Sequence, residues 1–478
     1  MARNNDSTRI EKDSMGEMTV PAQALYGAST QRAVLNFPVS GLPVPAEVIH
    51  SFGLLKAACA EANRDLKNLP PKVASLIIRA AREVAAGKLD EHFPVDVFQT
   101  GSGTSTNMNA NEVIANRCAQ LAGQKIGSKA VHPNDHVNYG QSSNDTFPTA
   151  MHVAAVILLQ KKLRPALEKL HASLEKKARQ WDKIVKIGRT HLMDATPIRL
   201  GQEFSGYAAQ VRYALDRTDR AIAVLSELAL GGTAVGTGLN THPRFARLVC
   251  RKLTQATGCE FTEAPNHFEA QAAQDSVVEA SGQLKTIAVS LSKIANDIRW
   301  LGSGPRCGLG ELMLPAIQPG SSIMPGKVNP VISESVIMVA CQVIGNDAAI
   351  TYGGFGGVGS LLDLNVAMPM MARNLIESIK LLANVSDVFR TKLIDGLKAD
   401  ARRCEALIEQ SLMMCTSLAP VIGYDNAAAL AKQAYAEGKT IRQLATDKKL
   451  LDPRKLDELL SPWSMTEPGV KKGLTVSA

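Results

Sequence analysis

Aromatic residues are scarce, at 4% of the chain, so there is no platform on which nucleobases could stack. Charge of one sign is never concentrated. The 53 basic and 45 acidic residues leave a net charge of +8, yet no block of five or six like charges occurs, which argues against a nucleic-acid partner. What remains is a mildly basic solvated surface that attracts small anions. The eight cysteines include no C-x-x-C pair, a pattern of reduced thiols in the cytosol or an organelle matrix. No stretch approaches 18 uninterrupted apolar residues, and the charged amino terminus "MARNNDSTRIEKDSMG" lacks the apolar segment of a signal peptide. Neither secretion nor membrane insertion is expected, and a cytoplasmic location is. Internal repeats, low-complexity tracts and alternating runs long enough for a substantial sheet are also missing.

What is present is apolar content of 45% with a mean hydropathy near zero, enough for a large core. At 478 residues the chain exceeds one compact core, so several domains or subunit assembly must carry the burial. Residues 1–140 are mixed, with helices expected over 46–64 and 71–87 between Pro and Gly punctuation. From 141 to 396 the texture changes to runs such as 149–180, 200–230 and 266–301 with little Gly or Pro. In the last run Val277, Leu284, Ile287, Leu291, Ile294 and Ile298 recur at spacings of seven, three and four, one face of a long helix. It is expected to start after Pro265 with Asn266 as N-cap and to span roughly 50 Å. Several such rods imply a bundle, completed by other subunits. Residues 397–478 return to short helices. The expected fold is therefore mainly α, in three parts around a central bundle of long helices.

Four polar segments interrupt this helical texture, each rich in groups that bind carboxylates. In "QTGSGTSTNMNANEV", Gly101, Ser102, Gly103 and Thr104 precede a helix expected near Asn109, where backbone N–H groups and hydroxyls can meet an anion; the same letters also make an ordinary turn. "HPNDHVNYGQSSNDTFP" holds His132, Asn134, Asp135, Ser142, Ser143, Asn144 and Asp145, and its Ser-Ser-Asn-Asp is equally a helix cap. His132 and His136 flank a Pro-Asn-Asp turn instead of sharing a helix face, so no metal is expected. In "GRTHLMDATPIRLGQEF" a lone histidine, His191, stands in a polar loop between Thr190 and Asp194, surroundings that can tune an imidazole for proton transfer. Finally "PGSSIMPGKVNP" (319–330) sets Ser321, Ser322, Lys327 and Asn329 among glycines and prolines, as in a loop that closes over an anion.

"GSSIMPGKVNP" resembles the signature of the fumarase/aspartase superfamily, and the other three segments are similar to that superfamily's further signature regions in the same order, over nearly the whole chain. His132, Ser143, His191 and Gly326 take the form typical of fumarases where aspartases differ, and "LALGGTAVGTGLNTHP" (228–243) is also fumarase-like.

The resemblance implies reversible anti addition of water to fumarate, giving L-malate, without metal or organic cofactor. It implies that Ser321 takes the carbon-bound proton, that Lys327 and Asn329 hold the resulting enediolate, and that His191 handles the hydroxyl through a water molecule, oriented by Glu334. Ser102, Thr104, Ser142, Ser143, Asn144, Thr190 and Ser322 would bind the substrate carboxylates. A homotetramer with sites shared between subunits is implied as well. So is a second carboxylate site at Lys129, His132, Asn134 and Asp135, where Lys129 replaces the usual arginine and offers a point charge in place of a bidentate fork. "NPVISESVIMVACQVIGND" reads in places like aspartase, and Asp363 and Ala367 depart from the pattern. Ammonia addition to fumarate is therefore one competing expectation, and a structural protein without turnover is another.

Overall fold

Helix formation follows the apolar spacing closely. In the computed structural model, which describes residues 7–128 and 130–469, a small hairpin of β1 (Thr8–Asp13) and β2 (Gly16–Pro21) leads into α1 (Ala28–Asn36), α2 (Ala46–Asp65) and α3 (Pro71–Ala85). Pro71 opens α3 at a position where a missing N–H is harmless, and Ala74, Ile77, Ile78, Ala81 and Val84 form its buried stripe. Gly53 of α2 lies so close to α3 that a Cβ there would fall 2.3 Å from the Ala85 nitrogen. Helices α4 (Thr104–Leu121), α5 (Ser143–Leu158) and α6 (Arg164–Gln180) follow, the last two joined by a π-helical turn.

A second hairpin, β3 (Val185–Thr190) and β4 (Met193–Arg199), precedes α7 (Leu200–Leu225) and α8 (Phe245–Thr257). Next come α9 (His267–Ala272), α10 (Asp275–Leu301), α11 (Val331–Gly354) and α12 (Met368–Phe389). Five short helices complete the chain: α13 (Ala401–Gln410), α14 (Ala419–Ile422), α15 (Tyr424–Glu437), α16 (Ile441–Asp447) and α17 (Pro453–Leu459). Among the described residues every sheet is a two-stranded pair, so the chain is mainly α.

The described residues form two compact units. One takes the chain up to Ala166 with Leu215–Val289 and Val339–Asn384; the other takes Leu167–Ala214, Ser290–Met338 and the chain from Val385 onward. Long helices α7, α10, α11 and α12 each contribute residues to both, so these units interleave along the sequence, unlike the consecutive segments 1–140, 141–396 and 397–478. In the second unit Ile187 of β3 joins Ile408, Leu418, Leu430, Ile441, Leu444 and Leu456 in one buried cluster, which anchors the hairpin on the carboxy-terminal helices.

Two expectations change. The rod expected over 266–301 is broken. Asn266 does cap a helix, its side chain accepting from the Phe268 and Glu269 amides, but α9 ends after six residues because Gln274 adopts φ +59°. The carbonyl of Ala273 is met instead by the Ser360 hydroxyl at 3.1 Å. The remaining 27-residue α10 is about 40 Å long, and all six of its periodic residues are buried. The helix expected near Asn109 starts five residues earlier, at Thr104. Its cap comes from upstream: the Gln99 side-chain oxygen accepts from both the amide and the hydroxyl of Thr106, at 2.9 and 2.8 Å.

Candidate active site

In the first unit the glycine-rich segment and the Ser-Ser-Asn-Asp segment meet. Ser102 Oγ lies 2.9 Å from Thr104 Oγ1, which lies 2.7 Å from Ser143 Oγ. This chain of hydroxyls exists because Thr104 opens α4 and Ser143 opens α5, so two helix N-termini adjoin one another. Ser142 and Asp145 form a reciprocal capping box at the start of α5.

Asp145 does more than cap. Fully buried, its carboxylate accepts from the amides of Ser142 (2.9 Å), Gly231 (3.1 Å) and Thr233 (2.9 Å), tying the start of α5 to the loop 229–236. Burial pushes its pKa up to about 6, against the pull of those three N–H groups. Asn144 reinforces the link, its side-chain nitrogen donating to the Ala234 carbonyl at 2.8 Å. Sequence reasoning assigned Asp145 no part in the site; the signal was the capping pattern, which does not reveal the second loop.

The second unit carries His191 and the loop 319–330. His191 and Leu192 have φ values of +57° and +63° and make the two-residue turn between β3 and β4, leaving His191 exposed at the tip and Thr190 exposed at the end of β3. Behind them Arg189 Nη1 donates to both oxygens of the fully buried Glu311 at 3.0 Å, and buried Lys186 lies 3.3 Å from the same carboxylate and from Glu203. Burial raises the pKa of Glu203 despite Lys186 beside it.

In that loop, Ser321 Oγ accepts from the backbone amides of Ile323 (3.2 Å) and Met324 (3.0 Å). Two N–H donors on one hydroxyl oxygen favour its negatively charged form. The loop is pinned at its base: the Gly320 amide donates to the Lys327 carbonyl at 2.9 Å, and Asn329 Nδ2 to the Gly320 carbonyl at 2.7 Å. Ser322 and Lys327 are exposed. Glu334, in the first turn of α11, is exposed too. Among the described residues no hydrogen bond or ion pair joins Glu334 to His191.

Of the second-site residues, Lys129 lies outside the described residues. His132 caps the π-helical turn Pro133–Val137 with Nδ1 accepting from the Asp135 amide at 3.1 Å, while Asn134 and Asp135 are exposed. Asn134, Asp135 and Ser142 share the wall of one cavity of about 680 Å³. Among the described residues no group of three or more His, Cys, Asp or Glu side chains is placed to hold a metal ion.

Residues 16–345 match the family model described as "Lyase", and residues 414–467 match "Fumarase C C-terminus". The chain is 55% identical over 451 residues to the class II fumarate hydratase of Corynebacterium glutamicum, covering 94% of this chain and 93% of that protein. The chain belongs to the class II fumarate hydratase family. The mitochondrial fumarate hydratase of Homo sapiens, another relative, is 52% identical over 98% of this chain and 91% of its own length. Among solved structures, a recombinant class II fumarase from Schistosoma mansoni superposes with a TM-score of 0.94 at 39% identity, covering 97% of this chain and all of that one. These fumarate hydratases match across both compact units, so the aspartase-like letters after the lid and the departures at Asp363 and Ala367 sit within a fumarase framework.

Proposed function

We propose that this chain adds water reversibly to fumarate, giving L-malate, and that the four polar segments carry the reaction. The observation that carries this is the lid: a serine oxygen receiving two backbone N–H groups in a loop that also carries the exposed Lys327. The hard step is removing a weakly acidic proton next to a carboxylate, so the site must hold a doubly charged carboxylate as it forms. Ser321 takes that proton onto its oxygen, and the C–H electrons flow into the neighbouring carboxylate. Lys327 and Asn329 hold the enediolate, after which the C–O bond breaks and His191, through a water molecule, protonates the departing hydroxide. Run backwards, His191 activates the water. Ser102, Thr104, Ser142, Ser143, Asn144, Thr190 and Ser322 receive the two substrate carboxylates.

The chemistry is assigned to a homotetramer with shared sites. Two features support this. Glu334, proposed to orient His191, has no hydrogen bond or ion pair to it among the described residues of one chain. Helix α11 is long and apolar enough by composition to cross a membrane, yet leaves Met338 and Tyr352 about two-thirds exposed; burial against other copies of the chain accounts for such a face. Segments 1–140, 141–396 and 397–478 would be the domains, His132, Asn134 and Asp135 a second carboxylate site, and the cytoplasm the compartment.

Ultraviolet absorbance of the conjugated double bond tests the activity. Malate should give rising absorbance, and fumarate with ammonium should decay no faster than fumarate alone; ammonium-dependent decay would overturn hydration. Light scattering should give about 200 kDa, four times 51.1 kDa, and a monomeric active species would refute the shared site.

A further inference from the structure

Lys56 takes no part in the mechanism above, yet its ammonium is placed with unusual care. It is fully buried and gives one proton each to Asn107 Oδ1 (2.8 Å), Asn138 Oδ1 (2.9 Å) and Gln141 Oε1 (3.0 Å). The three acceptors are neutral amides. They are cross-linked in turn, since Asn107 Nδ2 donates to Asn138 Oδ1 at 3.2 Å, Asn138 Nδ2 to the Gln141 carbonyl at 3.0 Å, and Thr146 Oγ1 to Asn107 Oδ1 at 3.2 Å.

A buried ammonium without a carboxylate in direct contact is costly, and an apolar side chain of similar length would fill the space more cheaply. What the ammonium adds is three-way attachment. Asn107 lies one turn beyond Thr104 on α4, and Gln141 immediately precedes Ser142. The cage therefore spans the two segments whose hydroxyls meet at Thr104 and Ser143, while Asp145 holds the start of α5 through the Ser142 amide.

We propose that Lys56 is a positioning residue for substrate: by clamping the 138–141 turn to α4 it sets the spacing between the Thr104 hydroxyl and the donors of Ser142, Ser143 and Asn144. The inference rests on those residues being the ones that bind a substrate carboxylate. Donors that grip a non-reacting carboxylate act alike in the ground and transition states, so loosening them raises KM and spares kcat.

The test is steady-state kinetics with fumarate for Lys56→Met, Gln141→Leu and Thr104→Ala. Lys56→Met should raise KM by about 10- to 100-fold with kcat within about threefold, and Gln141→Leu, which removes one of three attachments, should raise it by about 3- to 10-fold. A lysine that merely stabilises the fold would reduce the active fraction, lowering kcat with KM unmoved, and that result overturns the proposal. If Lys56→Met does not fold, Gln141→Leu decides, and a KM within twofold of the parent refutes the clamp. Thr104→Ala separates the two levels: if it leaves KM unchanged the carboxylate-site assignment itself falls, whereas a raised KM there with unmoved values in the other two variants removes only the role of Lys56.

Discussion

Gly103→Ala should damage stability and substrate binding together. Gly103 is the N-cap of α4 at φ +74°, a left-handed conformation that costs a residue with a Cβ about 1–2 kcal/mol. The added carbon would lie 2.0 Å from Cδ2 of Phe147, where carbon atoms in contact need about 3.5–4.0 Å. Phe147 cannot easily yield: it is fully buried and meets the ring of Phe52 edge-on at 5.9 Å. Overpacking of this kind costs about 1–3 kcal/mol, so a total of about 2–5 kcal/mol is expected.

The functional consequence follows from geometry. Phe147 sits one turn after Ser143 on α5, and Gly103 directly precedes Thr104, so relieving the overlap drives α4 and α5 apart where Thr104 and Ser143 stand 2.7 Å from each other. KM for fumarate should rise by about tenfold, the loss of one or two hydrogen bonds to a carboxylate. Urea unfolding at fixed protein concentration measures the first effect and initial rates the second. A variant within about 1 kcal/mol of the parent and with unchanged KM would refute both the packing argument and the role of the hydroxyl chain.

Ser321→Ala should abolish turnover while leaving helix content and assembly intact by circular dichroism and light scattering; near-normal rates would remove serine from the base role. His191→Asn should lower kcat by roughly two to four orders of magnitude, the usual size of general acid–base catalysis, and a tenfold loss or less would leave His191 a binding residue. His152, buried on α5, offers a pH test. Its Nδ1 faces the Glu227 carbonyl at 2.9 Å and so carries the proton, while Nε2 accepts from Ser276 Oγ at 3.2 Å. Burial lowers its pKa to about 4 from 6.5. The unfolded chain therefore binds more protons between those values, and the stabilising contribution present above 6.5 should be lost as pH falls toward 4, by up to about 3 kcal/mol. Urea titrations of the parent and of His152→Gln should diverge across that window, and parallel curves would contradict the assignment.

Periodicity and capping letters determined much by themselves. The spacing of Val277 through Ile298 identified the buried face of α10, Asn266 and Ser142 announced helix starts, and the order of the four polar segments pointed to the family. These are local properties: a 3.6-residue repeat or a side chain bonding its own backbone needs no distant partner.

Where the structure departs from expectation, most of the deciding partners are remote in sequence. Gln274 breaks α9 from α10 and Ser360 satisfies the freed carbonyl; Gln99 moves the start of α4; Gly231 and Thr233 turn the capping Asp145 into a link between loops. Lys56 reads as one more helix residue until Asn107, Asn138 and Gln141 surround it. Burial of a polar group demands a partner for each donor and acceptor. Tertiary packing selects those partners, most of them from segments tens of residues away, which is why it decided the geometry around the candidate site.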